Sequence, residues 1–63
     1  NEEYEIEYRL AGLYFTTNES IKGCFHLNNG LRLNYNNRTL LKEYFPVIWE
    51  RTEVQNQIAK FEK

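Results

Sequence analysis

Ile21-Lys22-Gly23-Cys24-Phe25-His26-Leu27-Asn28-Asn29-Gly30-Leu31-Arg32-Leu33-Asn34-Tyr35 is the stretch around which the rest of the chain can be laid out. Asn28-Asn29-Gly30 is a turn signal between two alternating runs, and it predicts a β-hairpin. Side-chain pairing chooses the register. An Asn29-Gly30 loop sets Leu27 against Arg32 and Phe25 against Asn34, mixing apolar and polar on each face. A loop of Asn28-Asn29-Gly30 sets Leu27 against Leu31 and Phe25 against Leu33, and Ile21 and Tyr35 extend that face. A slip of one residue would turn the wrong set inward, so the second register is preferred. It places Gly30 at positive φ, in a type I turn followed by a bulge.

Upstream, Tyr4, Ile6, Tyr8 and Leu10 alternate with Glu3, Glu5, Glu7 and Arg9, the pattern of a half-buried strand. The parity changes at Ala11-Gly12. Either a tight turn there pairs Leu10 with Leu13 and Tyr8 with Phe15, or Gly12 marks a bulge in one long strand. The turn is preferred because it keeps the apolar face continuous. Thr16 to Ser20 is the next connection. The predicted fold is α+β: a four-stranded antiparallel meander followed by a kinked C-terminal helix, in a single small domain. The strands fall at about 3–10, 13–16, 21–27 and 31–35, so the sheet spans 3–35 and the helix about 38–62. The expected core face of the sheet holds Tyr8, Leu10, Leu13, Phe15, Ile21, Phe25, Leu27, Leu31 and Leu33.

After Tyr35 the period becomes helical. Asn36, Asn37 and Thr39 are candidate N-caps. Leu41, Phe45 and Ile48 share one stripe, and Leu40, Tyr44, Val47, Val54, Ile58 and Phe61 share another. Pro46 cannot continue a helix without a kink or a break, because it lacks a donor and clashes with the carbonyl of Lys42. It is tolerated in the first turn of a second helix. Thr52-x-x-Gln55 has the form of a capping box and offers a further restart.

Sixty-three residues are near the lower limit for a core that stands alone, and four Phe, five Tyr and one Trp supply large buried areas per residue. A single Cys excludes an internal disulfide and favours an intracellular setting. No run is long and apolar enough to suggest a membrane span or a signal peptide. The net charge of −1 conceals an asymmetry, with five Glu against Arg9 in residues 1–19 and seven Lys or Arg against four Glu in residues 20–63.

The same inventory argues against catalysis. One His, one Cys and no Asp cannot assemble a metal site of three or four ligands, and no cofactor is expected. Cys24 and His26 fall on one strand face, but no third group orients them as nucleophile and base. The Glu3, Glu5 and Glu7 row is a solvated strand face. The expectation is therefore a non-enzymatic binding module.

Two features point to binding. Arg9, Tyr14, Lys22, His26 and Arg32 fall on the second strand face, a basic patch with an aromatic suited to single-stranded nucleic acid or an acidic peptide. Glu5 and Glu7 share that face and dilute its potential. The helix, in turn, carries more apolar surface than four short strands can cover. Val47, Val54, Ile58 and Phe61 follow the spacing of a helix–helix seam, and Trp49 lies beside them. They are the expected interface with a partner, a second copy or another protein.

The run Gly30-Leu31-Arg32-Leu33-Asn34, then Leu41-Lys42-Glu43 and Pro46, resembles the last strand and helix start of the PC4/Whirly group. That resemblance implies a single-stranded-DNA-binding dimer with basic strands and dimerising helices, although the first strand here is acidic. Phe25-His26-Leu27-Asn28-Asn29-Gly30 is similar to strand runs of the polo box, which implies protein binding. The preferred function is an oligomerisation or protein-interaction module, a homodimer through its C-terminal helix, with a single-stranded-nucleic-acid-binding dimer as the alternative.

Overall fold

The computed structural model describes residues 2–62, and they contain helices and no strand. Five α-helices follow one another: α1 (Glu3–Thr16), α2 (Ser20–Leu33), α3 (Leu40–Tyr44), α4 (Pro46–Trp49) and α5 (Thr52–Glu62). A 3-10 turn, Tyr35–Asn37, links α2 to α3. The expected meander over 3–35 is therefore replaced by two antiparallel helices. The α+β class falls with it.

The reason lies in how the apolar residues of 3–35 are spaced. Tyr4, Tyr8, Ala11 and Phe15 are four, three and four apart, one side of a helix. Gly23, Leu27 and Gly30 repeat that spacing on α2. The two helices then meet large against small. The Phe15 ring lies over Gly23, where a Cβ would come within 2.8 Å of it, and the Tyr8 ring lies over Gly30, where a Cβ would come within 2.9 Å. Ala11 and Leu27 fall between these two ring–glycine pairs, and both are fully buried. Gly12 accepts the Phe45 ring in the same way. Among the described residues no glycine has a positive φ. Gly30 is a seat for a ring inside a helix, and Ala11-Gly12 is neither a turn nor a bulge.

The chain reverses at Thr17–Glu19, within the expected Thr16–Ser20 connection. Asn18 takes the left-handed conformation with φ of 64°. The Glu19 N–H donates to the Tyr14 carbonyl at 2.8 Å and the Asn18 N–H to the Phe15 carbonyl at 3.2 Å. That double closure is the Schellman ending of a helix, with Asn where Gly is commoner.

The region expected as one kinked helix is three helices. Phe45, before Pro46, is held at φ −139° and ψ 70° and ends α3. Pro46 opens α4, in the first-turn position that tolerates it. α5 restarts at Thr52, but Gln55 donates to the Trp49 carbonyl at 2.6 Å instead of closing a capping box. Of the expected caps, Thr39 holds the N-cap position of α3 with no side-chain bond. Asn34 caps the 3-10 turn, accepting from the Asn37 N–H at 3.1 Å.

α3 and α4 pack on α1, and α5 packs on α2. The core between them is Tyr8, Ala11, Phe15, Leu27, Leu31, Leu41, Ile48, Val54 and Ile58. No helix among the described residues is long and apolar enough to cross a membrane.

Candidate partner-binding face

The α1–α2 hairpin also carries apolar residues that this core does not cover. Ile6, Leu10 and Leu13 are four and three residues apart and form a second stripe on α1. Phe25 and Leu33 stand two turns apart on α2, with Asn29 between them. Ile6 is 57% exposed, Leu13 53%, Phe25 62% and Leu33 48%, while Leu10 is half-buried. Ile21 is more exposed still, at the edge of this side. Isolated exposed apolar residues are ordinary, but five of them on two short helices are more than the buried core calls for.

A half-buried polar line runs down the seam between the stripes. The Glu7 carboxylate accepts from His26 Nδ1 at 2.7 Å and from Asn29 Nδ2 at 3.3 Å. The His26 ring stacks on Tyr14 with centroids 5.3 Å apart, and the Phe25 ring meets it edge-on at 5.1 Å. Lys22 Nζ lies 5.5 Å from the centre of the Tyr14 ring. Each contact joins α1 to α2 or fixes an exposed ring, so the face is pre-formed.

The expected basic patch is only partly assembled. Tyr14, Lys22 and His26 meet on this face, but Glu7 holds His26 and Glu19 lies 3.4 Å from Lys22. Arg9 turns to another side of α1, where it contacts Glu5 at 3.2 Å and lies over the Tyr44 ring at 4.8 Å. The Tyr44 hydroxyl first, and the Glu5 charge with it, raise the Arg9 pKa above its ordinary value. Arg32 is exposed near the far end of α2. The strand face that was to unite these five residues does not exist, and with it goes the layout on which the PC4/Whirly resemblance rests.

The expected C-terminal seam is dispersed as well. Val54 and Ile58 are buried inside the chain. Phe61 stacks on Tyr35 with centroids 5.9 Å apart, and Trp49 packs against the core. Only Val47 remains largely exposed, beside a shallow groove of about 360 Å³ lined by Thr16, Tyr44, Pro46 and Arg51. The exposure of Ile58 and Phe61 that called for a partner is met by the chain's own α2 and 3-10 turn.

Among the described residues no group of His, Cys, Asp and Glu could hold a metal ion. Cys24 and His26 lie on different sides of α2. Burial first, and Glu53 second, push the Cys24 thiol pKa up against the opposing pull of Lys60, which disfavours the reactive thiolate. No protein-family model, curated protein or solved structure matches the chain.

Proposed function

We propose that this chain is a non-enzymatic protein-interaction module that works through the apolar side chains its core leaves exposed on the α1–α2 hairpin. One observation carries the proposal: Ile6 and Leu13 on α1 and Ile21, Phe25 and Leu33 on α2 stay exposed although the hairpin already has a buried core. Folding alone does not call for them, because the inner stripes already bury the hairpin against α3, α4 and α5. Apolar side chains left outside a completed core are the surface helices use to meet another chain.

The test separates contact from folding. The variant Ile6→Ser, Leu13→Ser, Phe25→Ser should keep its helical circular dichroism in dilute solution, since substitutions away from the core each change stability by about 0.5 kcal/mol or less. The parent should bind a hydrophobic fluorescent dye, and the variant should lose that binding. A variant that unfolds when dilute would make these residues part of the fold and end the proposal.

A further inference from the structure

We infer that Asn29-Gly30 is a self-modification site, an asparagine that converts to aspartate or isoaspartate, which the fold holds shut and which opens when the α1–α2 hairpin comes apart. The site is independent of the binding role proposed above. Its chemistry is that of the dipeptide. The Gly30 backbone nitrogen attacks the Asn29 side-chain carbonyl carbon Cγ, and the new C–N bond closes a succinimide ring. The Cγ–Nδ2 bond breaks, and ammonia leaves with the proton that the Gly30 nitrogen gives up. Water then opens the ring at either carbonyl, giving aspartate or, with the chain rerouted through Cγ, isoaspartate. One water enters, one ammonia departs, and no other reactant is needed. Glycine hinders the attack least, because it has no Cβ beside the attacking nitrogen and its backbone turns most freely. Of the eight asparagines in the chain, Asn29 alone precedes a glycine.

The fold opposes that attack in three ways. Inside α2 the Gly30 N–H is committed to the carbonyl one turn back, and a helical ψ at Asn29 keeps the Gly30 nitrogen away from Cγ. Across the seam, Glu7 Oε1 accepts from Asn29 Nδ2 at 3.3 Å and from His26 Nδ1 at 2.7 Å, so the asparagine side chain is drawn toward α1. Gly30 itself is buried under the Tyr8 ring, with no room for a methyl group, and that ring is tied to the Asn34 carbonyl at 2.8 Å. The backbone rotation that carries the nitrogen to Cγ cannot be made with the ring in place. All three restraints go when α1 leaves α2, because a 14-residue helix with two glycines does not hold by itself.

The products do not fit back. Aspartate at position 29 replaces a donor with a second carboxylate against Glu7, and the His26 Nδ1 hydrogen is already given to Glu7. Isoaspartate adds a methylene to the main chain inside α2. That addition shifts the helical hydrogen bonds around it and moves Gly30 from beneath Tyr8. Opening of the hairpin is thereby recorded in a covalent bond.

Peptide mapping by mass spectrometry, at neutral pH and body temperature, tests the inference. Conversion of Asn29 in the folded parent should be at least about tenfold slower than in the same chain held in guanidinium chloride, because it proceeds only from the open fraction. Leu27→Ala weakens the hairpin without touching the dipeptide and should speed conversion toward the denatured rate. If that variant unfolds outright, it should reach the denatured rate. Asn29→Asp should lower the denaturation midpoint, and by less in a Glu7→Gln background. The isoaspartyl chain, separated by ion exchange, should fail to regain the parent's helical circular dichroism. Equal rates in the folded and denatured parent, an Asn29→Asp midpoint equal to the parent's, or an isoaspartyl chain that refolds as the parent does would each overturn the inference.

Discussion

Phe15 and Leu13 stand two residues apart on one helix. Phe15 is sealed over Gly23, and Leu13 is half in water. Leu27 and Phe25 repeat the contrast on α2. Hydrophobicity does not distinguish the members of either pair. What differs is the surface opposite them: inner-face residues meet a glycine, an alanine or another helix, and Leu13 and Phe25 have no second helix packed over them. A large side chain is buried here where a small one across the seam makes room for it.

The contrast is sharpest in truncation. Leu27→Ala should cost about 3 kcal/mol, the usual range for emptying a buried leucine site. Phe25→Ala removes a larger side chain and should shift the stability of the dilute monomer by about 0.5 kcal/mol or less. Thermal or urea unfolding of the two variants measures both. A 63-residue domain has on the order of 5 kcal/mol in all, so the first variant should be close to unfolding and the second should not.

Gly30→Ala comes next. In a solvent-facing helix it would gain about 1 kcal/mol from propensity. Here the new methyl meets the Tyr8 ring, which is fully buried and tied by its hydroxyl to the Asn34 carbonyl at 2.8 Å. The ring cannot step aside, and the net effect should be a loss of about 1–2 kcal/mol, within the range for overpacking. In a Tyr8→Ser background the same substitution should become neutral or stabilising. A loss that persists without the ring would mean that Gly30 is needed for its backbone and not for its size.

The two buried tyrosine hydroxyls sharpen the comparison further. Tyr8→Phe discards a satisfied hydrogen bond and should cost about 1 kcal/mol. The Tyr35 hydroxyl is buried with no hydrogen-bond partner among the described residues. Tyr35→Phe should therefore be neutral or stabilise by up to about 1 kcal/mol while keeping the stack on Phe61. Chemical denaturation of both variants should move the midpoint in opposite directions.

Tyr8 also predicts an alkaline limit. Burial, opposed by the Arg38 charge, pushes its pKa up to about 12 from 10. Between these values the unfolded chain releases the proton and the folded chain retains it. Stability is then complete below pH 10 and falls as the pH rises toward 12. Tyr8→Phe should show a shallower decline over the same interval.

Parts of this architecture were legible in the sequence. Thr16–Ser20 reads as a connection, and the chain reverses inside it at Thr17–Glu19, with Thr16 and Ser20 taken into the flanking helices, because TTNES lacks apolar residues for either period. Leu41, Phe45 and Ile48 read as a core-facing stripe, and Leu41 and Ile48 are buried while Phe45 packs on Gly12. Pro46 marks an interruption for a steric reason, and the interruption is a full break that starts α4 where a kink in one helix was expected. The hairpin was misread because both sides of α1 and α2 are apolar. A core stripe at Tyr4 and Tyr8 and an outer stripe at Ile6 and Leu10 interleave at every second residue, which imitates a strand. Asn28-Asn29-Gly30 completes the imitation, since nothing local separates a glycine that turns the chain from one that seats a ring. The heptad spacing of Tyr8 and Phe15 against that of Gly23 and Gly30 was the missed signal. The outer face was hidden by the same error, its residues having been placed in the core of a sheet.

The most direct test is a nuclear Overhauser spectrum of the labelled protein at low concentration. Ring-to-glycine packing predicts cross-peaks from the Tyr8 ring protons to the Gly30 α-protons and from the Phe15 ring to those of Gly23, with both pairs of glycine resonances shifted by the ring currents. Cross-strand contacts between Phe25 and Leu33, two turns apart on α2, with neither glycine near a ring, would contradict it.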